Sequence, residues 1–156
     1  GAILREVIAA ADLLRKDFGV AVDVWSATSF NELRRDGLSA QRWNMLHPGQ
    51  TPRLSHVEQR LKPRKGPVVA ATDYMRAFAD QIRAFVPQRY VVLGTDGFGR
   101  SDTREKLRSF FEVDRRYVAL AALKALADDG AIKTGIVTQA IKQYGIDSDR
   151  LEPWKS

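Results

Sequence analysis

The run from Arg89 to Arg104 constrains this chain more than any other stretch. Tyr90 to Leu93 is apolar and β-favouring without alternation, the pattern of a strand covered on both faces. Gly94, Gly97 and Gly99 follow, and they bracket a turn that needs positive φ or close backbone approach. At least one of Gly97 and Gly99 is therefore expected at positive φ. Asp102, with Glu105 three residues on, has the spacing of a capping box and predicts a helix over Lys106–Phe111. A strand feeding a glycine-rich loop that opens a helix belongs to α/β folds, where ligands meet the C-terminal ends of parallel strands.

The glycines read G-x-x-G-x-G, so neither the dinucleotide fingerprint nor the P-loop spacing is present. Two readings of the loop stay open at this level. It is a structural turn that caps a helix, or it is an anion or substrate site in which Arg100 and free helix N–H groups face one small volume.

Strand and helix signals alternate through the first two thirds of the chain. This predicts an α/β class, a Rossmann-like three-layer sandwich with a mostly parallel sheet, followed by C-terminal helices. The opening helix carries Leu4, Val7, Ile8, Ala11, Leu14 and Phe18 on one stripe, with Arg5, Glu6, Asp12 and Arg15 off it, and Gly19 as its C-terminal cap. Val20–Trp25 reads as the next strand, with Asp23 placing it towards an edge. Asn31–Asp36 and Ser39–Leu46 read as two short helices broken at Gly37, and His47–Pro52 as a loop. A short helix over Val57–Leu61, a basic linker over Lys62–Pro67 and a strand over Val68–Ala71 come next. Tyr74–Val86 reads as one helix facing inward with Met75, Phe78, Ala79, Ile82 and Phe85, ended by Pro87. Tyr117–Ala127 is apolar nearly all round and is expected between other elements. Thr134 is expected to cap a last helix that ends at Gly145, leaving Asp147–Ser156 as a polar tail.

Composition narrows the function classes. The 156 residues suit one domain, 44% hydrophobic and 28% charged as in soluble globular proteins. There is no cysteine, which fits a cytoplasmic protein without disulfides. No run approaches the about 18 apolar residues a membrane span needs. The net charge of +6 is spread along the chain. Its densest stretch, Arg53–Lys65, lacks interleaved aromatics, so neither nucleic acid nor membrane is expected as a partner. That stretch is a solvated face or a contact for an acidic partner. His47 and His56 are the only histidines and have no third ligand candidate nearby, so no zinc site is expected.

Thr95-Asp-Gly-Phe-Gly-Arg-Ser-Asp102 resembles a signature near the C-terminus of the homodimeric, thiamine-diphosphate-dependent pyruvate dehydrogenase component of the bacterial complex. Asp23 to Gly37, Arg42-Trp-Asn44, Leu46-His-Pro48, Ala71 to Met75 and Phe111-Glu-Val-Asp114 resemble the same family in the same order. The resemblance implies a transketolase-type C-terminal domain over 1–156. It implies oxidative decarboxylation of pyruvate with acetyl transfer to lipoyl groups, a homodimer, and dihydrolipoyl acetyltransferase as partner. It also implies thiamine diphosphate and magnesium bound by other domains. The G-D-G motif with following asparagines that holds that cofactor is not in this sequence, so no catalytic, cofactor-binding or metal residue is carried over. Asp96, Gly97, Phe98, Gly99, Arg100 and Asp102 are the expected interdomain or channel-edge contacts. Two rivals come from other classes: a free-standing anion-binding module using the Gly97–Arg100 loop, and an adaptor binding an acidic partner through Arg53–Lys65. An uncapped helix opens the chain, and a parallel layout places a strand before it. The 156 residues are thus expected to be part of a longer polypeptide and to show an unpaired strand edge.

Overall fold

The structure, a computed structural model, describes residues 2–97 and 101–155. Its centre is a pair of parallel strands, β1 (Val68–Ala71) and β2 (Tyr90–Leu93), in register from Val68 opposite Tyr90 to Ala71 opposite Leu93. The ladder continues one residue past each end: Val68 N donates to Arg89 O at 2.8 Å, and Thr72 N to Leu93 O at 3.0 Å. Successive side chains leave a strand on opposite faces, and here that alternation separates two cores. Val69, Ala71 and Leu93 pack on one side against Leu14, Val118, Leu123 and Ala140. Val68, Ala70, Tyr90 and Val92 serve the other, with Val57, Ala79, Ile82 and Phe85.

The first side is covered by α1 (Ala2–Phe18), α6 (Arg115–Asp128) and α7 (Thr134–Gln143). The second carries α2 (Phe30–Leu46), α3 (His56–Leu61), α4 (Arg76–Asp80) and a 3-10 turn over Arg83–Phe85. The short α5 (Arg104–Phe110) joins the sheet to α6. Helices thus flank a parallel sheet, which is the expected three-layer α/β arrangement on a small scale. The sheet has two strands, so each keeps one unpaired edge among the described residues. α6 touches α1, α7 and both strands, as its all-round apolarity requires.

Six local expectations are corrected. Val20–Trp25 is not a strand: no second chain segment pairs with it among the described residues, and Val22, Val24 and Trp25 stay exposed. Asp23 instead pairs with Arg64 at 2.8 Å. Residues 30–46 form one helix, not two, because Gly37 is where α2 crosses Phe85; a Cβ there would lie 2.4 Å from its ring. The helix expected over Tyr74–Val86 is two short pieces, with Ile82 at φ −95 and ψ 2 breaking the run. In α1 the fully buried line is Glu6, Ala10 and Leu14, not the stripe with Ile8. Glu6 tolerates burial because Arg115 Nε donates to it at 2.9 Å. Thr134 is the first residue of α7 rather than its cap, which is Lys133 without a side-chain bond. The sixth, at Asp102, belongs to the loop described below.

The caps that the structure does contain explain where helices begin. Ser55 and Glu58 form a reciprocal capping box on α3. Asp114 accepts from Arg116 N and Tyr117 N to open α6. Just before it, Glu112 sits at φ 61, an unusual conformation outside glycine that turns the chain and drives Val113 fully into the interior.

Buried Tyr90 and half-buried Tyr144 link stability to alkaline pH. Tyr90 donates its hydroxyl to Ala79 O at 2.8 Å, and burial pushes its pKa up. Tyr144 donates to Asp17 Oδ2 at 2.9 Å. Burial, reinforced by that carboxylate, raises it from 10.0 to about 12. Both groups hold their protons longer when folded, so their contribution is complete below the unfolded value and is lost as pH rises through the folded one. The urea midpoint should therefore fall as pH rises from about 10 to about 12. Tyr144→Phe should make that fall shallower. An equal fall in both proteins would show that Tyr144 carries no linkage.

Candidate functional site

The C-terminal ends of β1 and β2 open onto one region. Gly94 leaves β2 where the backbone of residues 74–76 passes: a Cβ on it would lie 2.7 Å from Arg76 N and 2.8 Å from Tyr74 O. That contact is used, because Thr95 N donates to Tyr74 O at 2.9 Å and Thr95 Oγ1 to Asp73 O at 2.8 Å. The two strand ends are thereby sewn together.

Asp96 then reaches across to α4. Its Oδ1 accepts from Arg76 N at 3.0 Å, while Oδ2 lies 3.7 Å from Arg76 Nε. Met75, the residue at the cap position, makes no side-chain bond. Asp96 therefore does from 20 residues away what a local cap usually does. Gly97 follows at φ 124, so the expectation of a positive-φ glycine holds there. Pro153 and Trp154 pack over Gly97, whose missing Cβ would meet Pro153 O at 3.1 Å. The Arg76 guanidinium stands 5.2 Å from the Trp154 ring. What reads as a polar tail is thus the cover of this loop, with Pro153 buried.

Phe98, Gly99 and Arg100 lie outside the described residues. Asp102 is exposed and is not the cap of α5: that place belongs to Thr103, whose hydroxyl accepts from Lys106 N. Asp102 Oδ1 instead accepts from Thr103 N at 2.8 Å. Both residues are good cap formers, so a one-residue offset was not readable from their types. Beside the loop, Arg108 Nε lies 3.6 Å from Asp73 Oδ1. Sequence reasoning missed Arg76 and Arg108, since their role depends on which strand end they meet.

On the opposite side, the Arg42–His47 segment is a stacked support for a loop. Asn44 accepts from Arg53 N at 2.7 Å and donates to Arg53 O at 2.9 Å. The Arg53 guanidinium sits 3.9 Å from the Trp43 ring centre, and Trp43 stacks on His47 at 4.3 Å. Arg64 is occupied by Asp23 and lies 5.4 Å from the Trp25 ring. Much of the basic stretch 53–65 therefore holds its own fold together. Among the described residues there is no group of three His, Cys, Asp or Glu able to hold a metal ion, and no helix long and apolar enough to cross a membrane.

The model of the transketolase-like TK C-terminal domain family matches residues 1–114. The chain belongs to that family. Within the transketolase-like family, its curated relatives are narrower in kind. It is 65% identical over 153 residues to the pyruvate dehydrogenase E1 component of Cupriavidus necator, covering 98% of this chain and 17% of that protein. The protein of the same name from Pseudomonas aeruginosa is 63% identical over 154 residues, covering 98% and 18%. That of Escherichia coli K12 is 54% identical over 154 residues, covering 98% and 17%. The chain thus spans under a fifth of the length of the relatives it matches.

Proposed function

We propose that this chain serves as the C-terminal domain of a pyruvate dehydrogenase E1 component. The observation that carries the reading is 65% identity over nearly the whole chain to one such protein. The whole protein would oxidatively decarboxylate pyruvate and transfer the acetyl group to lipoyl groups of dihydrolipoyl acetyltransferase, in the cytoplasm, as a homodimer. The chain lacks the G-D-G and asparagine pattern expected to hold thiamine diphosphate with magnesium. The cofactor would be held by other parts of the polypeptide, and no chemical step is assigned to this chain.

Its part is architectural. Asp96 and Gly97, with Phe98, Gly99, Arg100 and Asp102, would meet a neighbouring domain or edge the channel to the active site. The free edges of β1 and β2 would be extended by a strand from the remainder of the same polypeptide, since an open parallel pair of this kind is ordinarily covered. The intact polypeptide, supplied with thiamine diphosphate and magnesium, should reductively acetylate a lipoyl domain from pyruvate. Failure to turn over pyruvate would overturn the reading. The 156 residues alone should give no heat of binding with thiamine diphosphate and magnesium in calorimetry. Micromolar binding there would show that a cofactor site exists within them.

A further inference from the structure

We propose that the cleft beyond the C-terminal ends of the two strands binds a small oxyanion, phosphate in size and charge, between the guanidinium groups of Arg104 and Arg108. This goes beyond the reading above and does not depend on it. The cleft is open to solvent and spans about 570 Å³, bordered by Asp73, by Thr95 and Gly97 on the loop, by Arg104 and Arg108 on α5, and by the apolar Ala2, Leu107 and Phe111. Arg104 and Arg108 are four residues apart, so they stand on one face of the helix. Glu105 is three residues from Arg108 and so within its reach on the helix, yet among the described residues no ion pair joins it to either arginine.

Neither arginine is satisfied by what surrounds it. The Arg108 side chain is only 16% exposed, and among the described residues its Nε is shut away from solvent without a hydrogen-bond partner. The nearest carboxylate, Asp73, is 3.6 Å away, an ion pair beyond hydrogen-bond reach. Arg104 is exposed and, among the described residues, has neither an ion pair nor a hydrogen bond. A buried unpaired donor is costly, and like charges four apart on a helix repel. An oxyanion held by their terminal nitrogens relieves the repulsion between the two charges. Asp73 offsets one of the two positive charges, which leaves one net positive charge among the described lining residues. Arginine forks match the oxygens of phosphate or carboxylate closely. The side chains make this site, not the helix end, because Lys106 N is already taken by Thr103.

Equilibrium dialysis of radiolabelled inorganic phosphate against the intact polypeptide, at constant ionic strength in chloride, tests this. The expected result is saturable binding with Kd about 1 mM or tighter. Arg104→Gln should weaken it about tenfold, and Arg104→Lys less, since it keeps the charge but loses the fork. Arg104 is exposed, so this substitution stays readable even where a change at Arg108 disturbs folding. Competition by a phosphate monoester separates two sources: displacement assigns the cleft to a phosphorylated metabolite, and resistance assigns it to free phosphate. Absence of saturable phosphate binding, or binding that Arg104→Gln leaves unchanged, overturns the proposal.

Discussion

Leu123→Ala is expected to destabilise the folded chain by about 2–5 kcal/mol, the range for emptying a filled core site. Leu123 has no exposed surface and sits where α6 meets α1, α7 and the sheet, among Leu14, Val118, Val137 and Ala140. Those neighbours come from three helices, α1, α6 and α7, so closing the void would require moving whole elements rather than one side chain. The cost therefore belongs towards the upper part of the range. Against a net stability of about 5–15 kcal/mol, that is a large share. The adjacent Lys124 supplies the control, being exposed and, among the described residues, paired only with Asp128 one turn on. Lys124→Ala should cost under about 0.5 kcal/mol. Urea unfolding of the two variants would settle the matter: similar midpoints would mean that α6 does not occupy the centre of the core.

Long periodic segments were readable: α1, α6 and α7 lie where their apolar spacing put them, ended by Gly19 and Gly145 at φ 66 and 63. Tyr90–Leu93 and Val68–Ala71 were readable as strands because their uninterrupted apolarity needs two covered faces. Val20–Trp25 is likewise rich in β-branched residues, broken only by Asp23, and has no ladder among the described residues, since a strand exists only through a partner and residue types do not say whether one is present. Gly37 misled for the opposite reason. Glycine inside a helix costs about 1 kcal/mol, but here it permits α2 to approach Phe85 within contact distance, and packing overrides propensity. Arg5 and Glu6 looked equally polar on the opening helix, and only the distant Arg115 distinguishes the buried one. In the loop, the need for a special glycine was legible, whereas its cover was not. Pro153 and Trp154 are more than 50 residues away, in a tail whose composition promises nothing.

That cover makes Gly97→Ala the second large effect, expected at about 2–4 kcal/mol from two separable causes. At φ 124 a side chain is strained wherever it is placed, which accounts for about 1–3 kcal/mol. Its Cβ would also stand 3.1 Å from Pro153 O and 3.3 Å from Trp154 Cα, and these are backbone atoms that cannot rotate away. The tail would have to lift, weakening the Arg76–Trp154 contact and uncovering the loop. Removing residues 153–156 isolates the two causes, because it abolishes the clash and leaves the backbone strain. Alanine at position 97 should therefore cost less in the shortened chain than in the complete one, a coupling of about 1 kcal/mol in a double-mutant cycle. Unfolding midpoints for the four proteins give that coupling directly. Additive effects would show that the tail does not rest on Gly97, and the loop would then owe its shape to Asp96 and the strand ends alone.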